Sequence, residues 1–388
     1  FSLIAKLLRQ TAAHLNSEGR MRNLDRRFVL TGLTAAALLP GMAQAQIVAS
    51  DDGARVEQLA ENVFAILHDD ATDEWPHGNT GVVVGRRSVF VIDSCYLPSR
   101  ARADIALIRR LSDKPVSKLA TTHWHFDHNY GAAAYREAYP NVELIAERET
   151  ARWIELNQTY WRELSTAANS PRRAAIATLE QELARGAGED GVRFRDEERT
   201  RRARVIALRQ NELSELAAVQ IVTPERVFDR ELRLNFEGTR IDIKDWGPAN
   251  SPHDVTFWLP RERILFTGDI VVQSPLPYSG ASWPVHWVGV LRQIENFPLG
   301  QMVPGHGPVM RDHTYTQAVR RLLETTLERV EALVRNGRSL QQVQEELNLD
   351  DVKAAVPEWR DASAEDWTYT RRTLAERAFV GVRGQGGR

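Results

Sequence analysis

The sequence predicts an α/β fold, on three observations. Short apolar strands separated by tight turns begin at residue 54. From residue 89 to 145 strand patterns alternate with helical spacing, and strand patterns resume at 226 after a long helical stretch.

The elements follow in order. Val63 to Leu67 is a short apolar strand. Gly78 to Gly81 is a turn leading into Val82-Val83-Val84, and Gly85-Arg86-Arg87 turns again into Val89 to Asp93. Ala101, Ile105, Ile108 and Leu111 recur at helical spacing. Val116 to Thr122 is β-branched and apolar and ends at a histidine cluster. Gly131 to Tyr139 is a helix closed by Pro140, and Val142 to Ile145 is another strand. Residues 147–222 are rich in Ala, Leu, Glu and Arg, with helices around 172–185 and 195–219, and form a helical insertion. The charge run Glu197 to Arg202 within it is a solvated helix face. Strand patterns return in Val227-Phe228, Leu232 to Leu234, Ile241 to Ile243, Val255 to Leu259 and Ile264 to Phe266. Beyond Pro308 the chain is helical at 314–336, 339–346 and 364–379. The expected organisation is 1–45 upstream segment and export signal, 46–146 first half of the α/β domain, 147–222 insertion, 223–312 second half and 313–388 C-terminal helical extension.

The composition bounds the partners. A chain of 388 residues, 43% hydrophobic and with net charge −2, forms a well-filled core and gives no electrostatic reason to bind nucleic acid. A single cysteine, Cys95, excludes an internal disulfide and reads as a small buried residue with no histidine motif nearby. Met21 opens an export pattern: Arg22, Arg26 and Arg27, then the apolar run Phe28 to Leu39, then Ala43-Gln44-Ala45. Asp25 to Leu30 resembles a twin-arginine address, so the expected location is the periplasm, with no membrane anchor after cleavage. A start at Met21 leaves residues 1–20 upstream of it.

The strongest chemical signal is Thr122-His123-Trp124-His125-Phe126-Asp127-His128-Asn129. Of ten histidines in the chain, three fall within the six residues 123–128, and imidazole with carboxylate is a zinc donor set. If the strand runs to His123, extended geometry puts His123, His125 and Asp127 on one side, while Trp124 and Phe126 point away to pack. His128 then opens the next helix and turns inward. Three later residues lie beside predicted strands: His253 in Asn250-Ser251-Pro252-His253-Asp254, Asp269 in Phe266-Thr267-Gly268-Asp269, and His306 between Gly305 and Gly307. Together with the cluster they supply ligands for two metals.

With these residues the chain, from about residue 54 to 312, resembles the metallo-β-lactamase-fold hydrolase superfamily. The resemblance implies an αββα four-layer sandwich, here with the helical insertion and C-terminal helices added. It implies two Zn2+ (the same ligands accept Fe or Mn), with His123, His125 and His253 on the first, Asp127, His128 and His306 on the second, and Asp269 bridging. It further implies a metal-bridging hydroxide that attacks a carbonyl substrate, an ester, lactone, thioester or β-lactam, with Asp127 both ligand and orienter of the nucleophile. In true β-lactamases of the superfamily the position of Asp269 is typically Cys or Ser, whereas Asp resembles glyoxalase II and lactonases. The alternatives are a β-lactamase proper, a phosphoesterase, or a non-catalytic scaffold of the same fold. An RNA-processing nuclease is opposed by the export pattern and charge, and a single-iron oxygenase by the pairing of His128 with His306.

Asp93 is the candidate partner that orients a ligating histidine. Pro275, Pro277, Tyr278, Trp283, Pro284, His286 and Trp287, in and beyond the loop after Asp269, form a substrate pocket wall, with Trp75 and His77 facing the same cleft. The partners expected are a small-molecule substrate and a second copy of the chain, held through the insertion or the apolar positions of helix 314–336.

Overall fold

The computed structural model describes residues 46–68, 76–188, 191–273 and 276–384. The export signal expected within 21–45, Trp75 and Pro275 lie outside the described residues. Among the described residues no helix is long and apolar enough to cross a membrane.

Two sheets carry the fold. The first has eight strands in sequence order: β1 (Gln46–Ser50), β2 (Ala54–Ala60), β3 (Val63–His68), β4 (Thr80–Val84), β5 (Val89–Ile92), β6 (Val116–Ala120), β7 (Glu143–Glu147) and β8 (Arg226–Phe228). Pairing is antiparallel from β2 to β5 and parallel from β5 to β8. The change of direction at β5 requires a crossover, and α1 (Pro98–Leu111) supplies it. The second sheet has the order β13-β12-β11-β10-β9, formed by β9 (Glu231–Phe236), β10 (Thr239–Asp245), β11 (Val255–Leu259), β12 (Ile264–Val272) and β13 (Gln301–His306). Only β12 and β13 pair parallel in it, with α7 (Pro284–Ile294) as their crossover.

Period-2 alternation explains the layers. In β3, β4 and β5 the residues Val63, Ala65, Leu67, Val83, Phe90 and Ile92 share a core with Ile241, Ile243, Val255, Phe257, Ile264 and Phe266 of the other sheet. The intervening Phe64, Ile66, Val82, Val89 and Val91 pack instead on Ala101, Ile105 and Ile108 of α1 and on Ala132 and Tyr135 of α2 (Ala132–Ala138). Strands covered on both faces read as continuous apolar runs, as these do. The outer face of the second sheet, Leu265, Ile270 and Val271, packs on α7, α8 (Thr314–Arg335) and α12 (Ala364–Val382) through Trp287, Leu291, Val319, Leu322 and Leu374. Helix, sheet, sheet and helix form four layers, the αββα sandwich. Each such side chain, fully buried, contributes about 1.5–3 kcal/mol.

Three expectations change here. The apolar stripe of α8, expected to be open for a second copy, is buried within the chain as the cover of the second sheet. Trp287, expected in a pocket wall, is fully buried in the same core, with its indole N–H on the Ile270 carbonyl. The strand leading to the histidine cluster stops at Ala120, not His123. Beyond it the Thr122 N–H turns to the Asp93 carboxylate rather than to a neighbouring strand. Two further short helices, α10 (Asp350–Ala355) and α11 (Pro357–Arg360), lie between α9 (Leu340–Glu346) and α12.

The chain divides into two compact units. Among the described residues one comprises Leu164–Leu213; the other comprises Ile47–Glu163 with Ser214–Arg388 and contains both sheets. In the helical unit, α5 (Pro171–Arg185) starts at Ser170, whose side chain accepts the Arg173 N–H, with Pro171 in the first turn. It packs on α6 (Asp196–Ala218) through Ile176, Leu179, Ile206 and Leu213. Residues 147–163, expected in the insertion, belong to the sheet-containing unit, where α3 (Arg148–Trp153) continues as a π-turn and then into the first residues of α4 (Thr159–Thr166).

Candidate metal centre

The site lies where β5 and β6 of one sheet and β12 and β13 of the other deliver their ends. A residue leaving the sheet at this point must satisfy its backbone elsewhere. Asp93, at the end of β5 with φ 62°, takes on that role. Its carboxylate accepts the Thr122 N–H and the Thr122 hydroxyl, each at 2.8 Å, and the Thr121 hydroxyl at 3.3 Å. Its Oδ2 also meets His128 Nδ1 at 2.8 Å. Asn129 ties the turn from inside, donating to the His123 and His125 carbonyls, and Gln158 in turn donates to Asn129 and to the Trp124 carbonyl. Phe126–His128 closes as a single 3-10 turn, so His128 stands before α2 rather than opening it.

On the other sheet, the parallel ladder of β12 and β13 shifts register at Gly268 and again before Val272. Such shifts re-aim a side chain. Gly268 has φ 50°, and a Cβ there would stand 2.6 Å from the Thr122 side chain. A Cβ on Gly305 would stand 2.0 Å from Asp269 Oδ1. Only glycine lets these strand ends approach the acid.

The result is one buried constellation. His128 Nε2 lies 3.2 Å from Asp269 Oδ1 and 3.4 Å from Asp127 Oδ2. His306 Nε2 lies 3.0 Å from Asp127 Oδ2 and 3.6 Å from Asp269 Oδ1. His123 Nε2 lies 3.6 Å from Asp269 Oδ2 and 2.9 Å from His125 Nδ1. Donor atoms of Asp127, His128, Asp269 and His306 lie close enough together to hold one ion, and those of His123, His125 and Asp269 a second, with Asp269 common to both.

The electrostatics ask for positive charge. Burial pushes the Asp127 carboxyl up, but the facing His128 and His306 outweigh it and hold it well below the usual range. Asp269 is lowered too: burial opposes, and His128, His306 and His123 prevail. Burial lowers His128, yet Asp127, Asp269 and Asp93 raise it well above its ordinary value. A proton there balances carboxylates that a metal cation would balance. Burial first, then His128, keeps His123 neutral and able to donate a lone pair. The residues fit a metal on a second count. Asp127 Oδ1, His128 Nε2 and Asp269 Oδ1 are buried and have no hydrogen-bond partner. Buried polar atoms are rarely left so unless an ion or water completes them.

Of the seven residues assigned as ligands, six converge. His253 does not: it is half-buried, with Nδ1 3.2 Å from Asp245 and 3.7 Å from Glu147, and it groups with those two acids. Of the pocket candidates, Tyr278 lies against His125 with ring centroids 5.8 Å apart. Trp283 carries the Arg377 guanidinium at 5.0 Å. His286 is exposed at the start of α7. His77 is buried, and its Nδ1 accepts the Tyr96 N–H at 3.0 Å. Burial, then His68, lowers its pKa to about 3, so it is a neutral acceptor. Cys95, expected to stand apart from any histidine, donates to Asp104 at 2.8 Å with His68 3.7 Å away. Burial and Asp104 raise the thiol well above its ordinary value, which opposes a nucleophilic role. Asn129 and Gln158 were not anticipated, because their role depends on carbonyls that only the folded turn exposes.

The family model of the metallo-beta-lactamase superfamily matches residues 73–334. A linear primary-alkylsulfatase of Pseudomonas sp. (strain ATCC 19151) is 23% identical over 240 residues, 60% of this chain and 42% of that enzyme. The match thus spans less than half the length of that relative. Among solved structures, a metallo-beta-lactamase from Pontibacter korlensis superposes with TM-score 0.50 at 16% identity, covering 70% of this chain and 99% of the other. A stereoselective inverting sec-alkylsulfatase from Pseudomonas sp. superposes with TM-score 0.56 at 14% identity, covering 84% of this chain and 49% of the other. These structural likenesses concern the fold.

Proposed function

The chain belongs to the metallo-beta-lactamase superfamily, whose family match covers residues 73–334, and we propose that it is a hydrolase using two metal ions, zinc foremost, to cleave a small ester, thioester, lactone or lactam. The observation that carries this reading is the shared Asp269 between two donor groups, with unpartnered atoms on Asp127, His128 and Asp269. Asp127, His128, His306 and Asp269 would hold one ion, and His123, His125 and Asp269 the other. When bound, the ions supply a water of near-neutral pKa and a Lewis-acid contact for the substrate oxygen.

The chain's own groups do the rest. Asp93 engages His128 Nδ1 and leaves Nε2 free to ligate. The Thr122 hydroxyl does the same at His123 Nδ1, 3.0 Å away. Asp127 Oδ1, free of hydrogen bonds, takes the proton of the attacking water and returns it to the leaving group. Tyr278 covers the His125 side and limits water there.

A second reading is a sulfate ester. The match to the alkylsulfatase supports it, and so does Arg377. That guanidinium donates to the Ser282 carbonyl at 2.6 Å and lies over Trp283. Burial lowers its pKa, and among the described residues no carboxylate pairs with it. A half-buried cation with no close carboxylate partner among the described residues suits an anionic substrate group.

The test uses the full chain, stripped by chelation and reloaded with zinc. It is assayed on a chromogenic cephalosporin, an aryl carboxylate ester, a thioester, a lactone and an aryl sulfate. At least one substrate should turn over, lose turnover on chelation and regain it with zinc. Asp269→Asn should cost more than the roughly 10–100-fold typical of losing an outer-sphere partner. Turnover indifferent to chelation, or none on any substrate with two metals bound, refutes the reading.

A further inference from the structure

We propose that the side-chain amide oxygen of Asn250 completes the first metal position, alongside His123, His125 and Asp269, in the place the sequence assigned to His253. The inference rests on the two-metal reading above.

The first position is short of a ligand. Its group holds two imidazoles and a carboxylate shared with the second ion. Catalytic zinc sites carry three protein ligands plus an open place, and here one of the three, Asp269, is also drawn to the second ion. His253 is turned to Asp245 and Glu147, and its side chain is 30% exposed.

Asn250 is fully buried, and its Oδ1 has no hydrogen-bond partner. In this centre residues that would hold the ions carry such atoms: Asp127 Oδ1, His128 Nε2 and Asp269 Oδ1 share the condition. The amide orientation is fixed by chemistry, since Nδ2 donates to the Tyr278 carbonyl at 2.7 Å and a flipped amide would set oxygen against oxygen.

Position agrees with this role. The Tyr278 ring, whose own carbonyl anchors Asn250, packs on His125. The Val255 N–H donates to the Thr122 carbonyl at 2.9 Å, so the loop carrying Asn250 enters β11 beside the residue that precedes His123. The loop is pinned on both sides of Asn250: the Trp283 N–H donates to the Ala249 carbonyl, and the Ser251 N–H donates to Asp254 Oδ2. A residue held this firmly, with its oxygen left over, is built to meet something. A neutral amide oxygen is a harder and weaker donor than imidazole. The first position should therefore hold zinc less tightly than the second.

The experiment measures zinc per chain and stepwise affinity, by equilibrium dialysis with metal analysis, on the full chain. Co2+ absorption gives an independent view of each site. Wild type should hold two ions, the first position the weaker. Asn250→Ala should weaken that position at least 10-fold and alter only its Co2+ bands, while His253→Ala leaves both ions in place. Asn250→His, which offers a stronger donor nitrogen and keeps a ring N–H for the Tyr278 carbonyl, should bind the weaker ion more tightly, and it serves as the second variant if alanine does not fold. Asn250→Ala with two ions at unchanged affinity, or His253→Ala losing one, overturns the assignment alone. Wild type holding no ion overturns the two-metal reading and the assignment with it.

Discussion

Asp93 does at one position what several residues would otherwise share. Its left-handed backbone, φ 62°, is tolerated best by Asp and Asn among non-glycine residues. From there one carboxylate ends the strand, holds the Thr122 backbone and fixes the His128 ring. Asp93→Asn keeps the backbone conformation and volume but loses one acceptor. The expected result is about a 10–100-fold loss in affinity for the ion bound by His128, with the thermal midpoint nearly unchanged. Zinc titration checks it, and unchanged affinity would show that His128 needs no such partner. At this scale the sequence was informative where donors crowd together. Three histidines and an acid in six residues name themselves, and Asp269 and His306 are exposed by the strand pattern and glycines around them. His253 was assigned by the family resemblance, and in the structure it groups with two acids apart from the other six donors. That Asp245 and Glu147 capture His253 depends on the ends of β7 and β10, from different sheets, both reaching that loop, which no local pattern states.

Between elements, the buried cluster under α1 shows how a crossover helix is locked to its sheet. Asp104 on α1 accepts from Arg100 at 3.0 Å, from Cys95 at 2.8 Å and from Thr80 of β4 at 3.2 Å, and meets His68 of β3 at 3.1 Å. Arg100 reaches on to Asp51. Burial pushes the Asp104 carboxyl up, but His68 and Arg100 prevail and hold it at about 2, against 3.8 unperturbed. A depressed carboxyl contributes stability above its unfolded pKa, and that contribution is lost as pH falls from about 4 through 2. Its size is about 2 kcal/mol. Denaturant unfolding of wild type and Asp104→Asn at pH 5 and pH 2 checks this: the stability gap between them should narrow by that amount at the lower pH. A constant gap would mean the carboxylate is not stabilised in the fold. The helices at 171–185, 196–218 and 314–335 were legible in the sequence, each end falling within one residue of its expected place. The end of β6 was not, because a side chain, not a turn residue, stops it.

For the whole molecule, the strand and helix pattern predicted an α/β fold and the family resemblance implied the two sheets, and the four layers follow from residues alternating between the two cores. What patterning left open is which apolar helix face is covered by the chain itself. The stripe of α8 reads the same whether it meets a sheet or another copy, and only the path of the chain through α7 and α12 decides for the sheet. The four-layer arrangement also explains why the centre needs both halves of the chain. Asp93 and His123 to His128 come from the first sheet, and Asp269 and His306 from the second. Neither half holds a complete donor group. The most direct measurement is anomalous diffraction from crystals of the full chain grown with zinc, recorded on both sides of the zinc edge. The account predicts two peaks about 3.5–4 Å apart, one among Asp127, His128, His306 and Asp269, the other beside His123 and His125. No peak at these residues, a single peak, or a peak only at Glu147, Asp245 and His253 would contradict it.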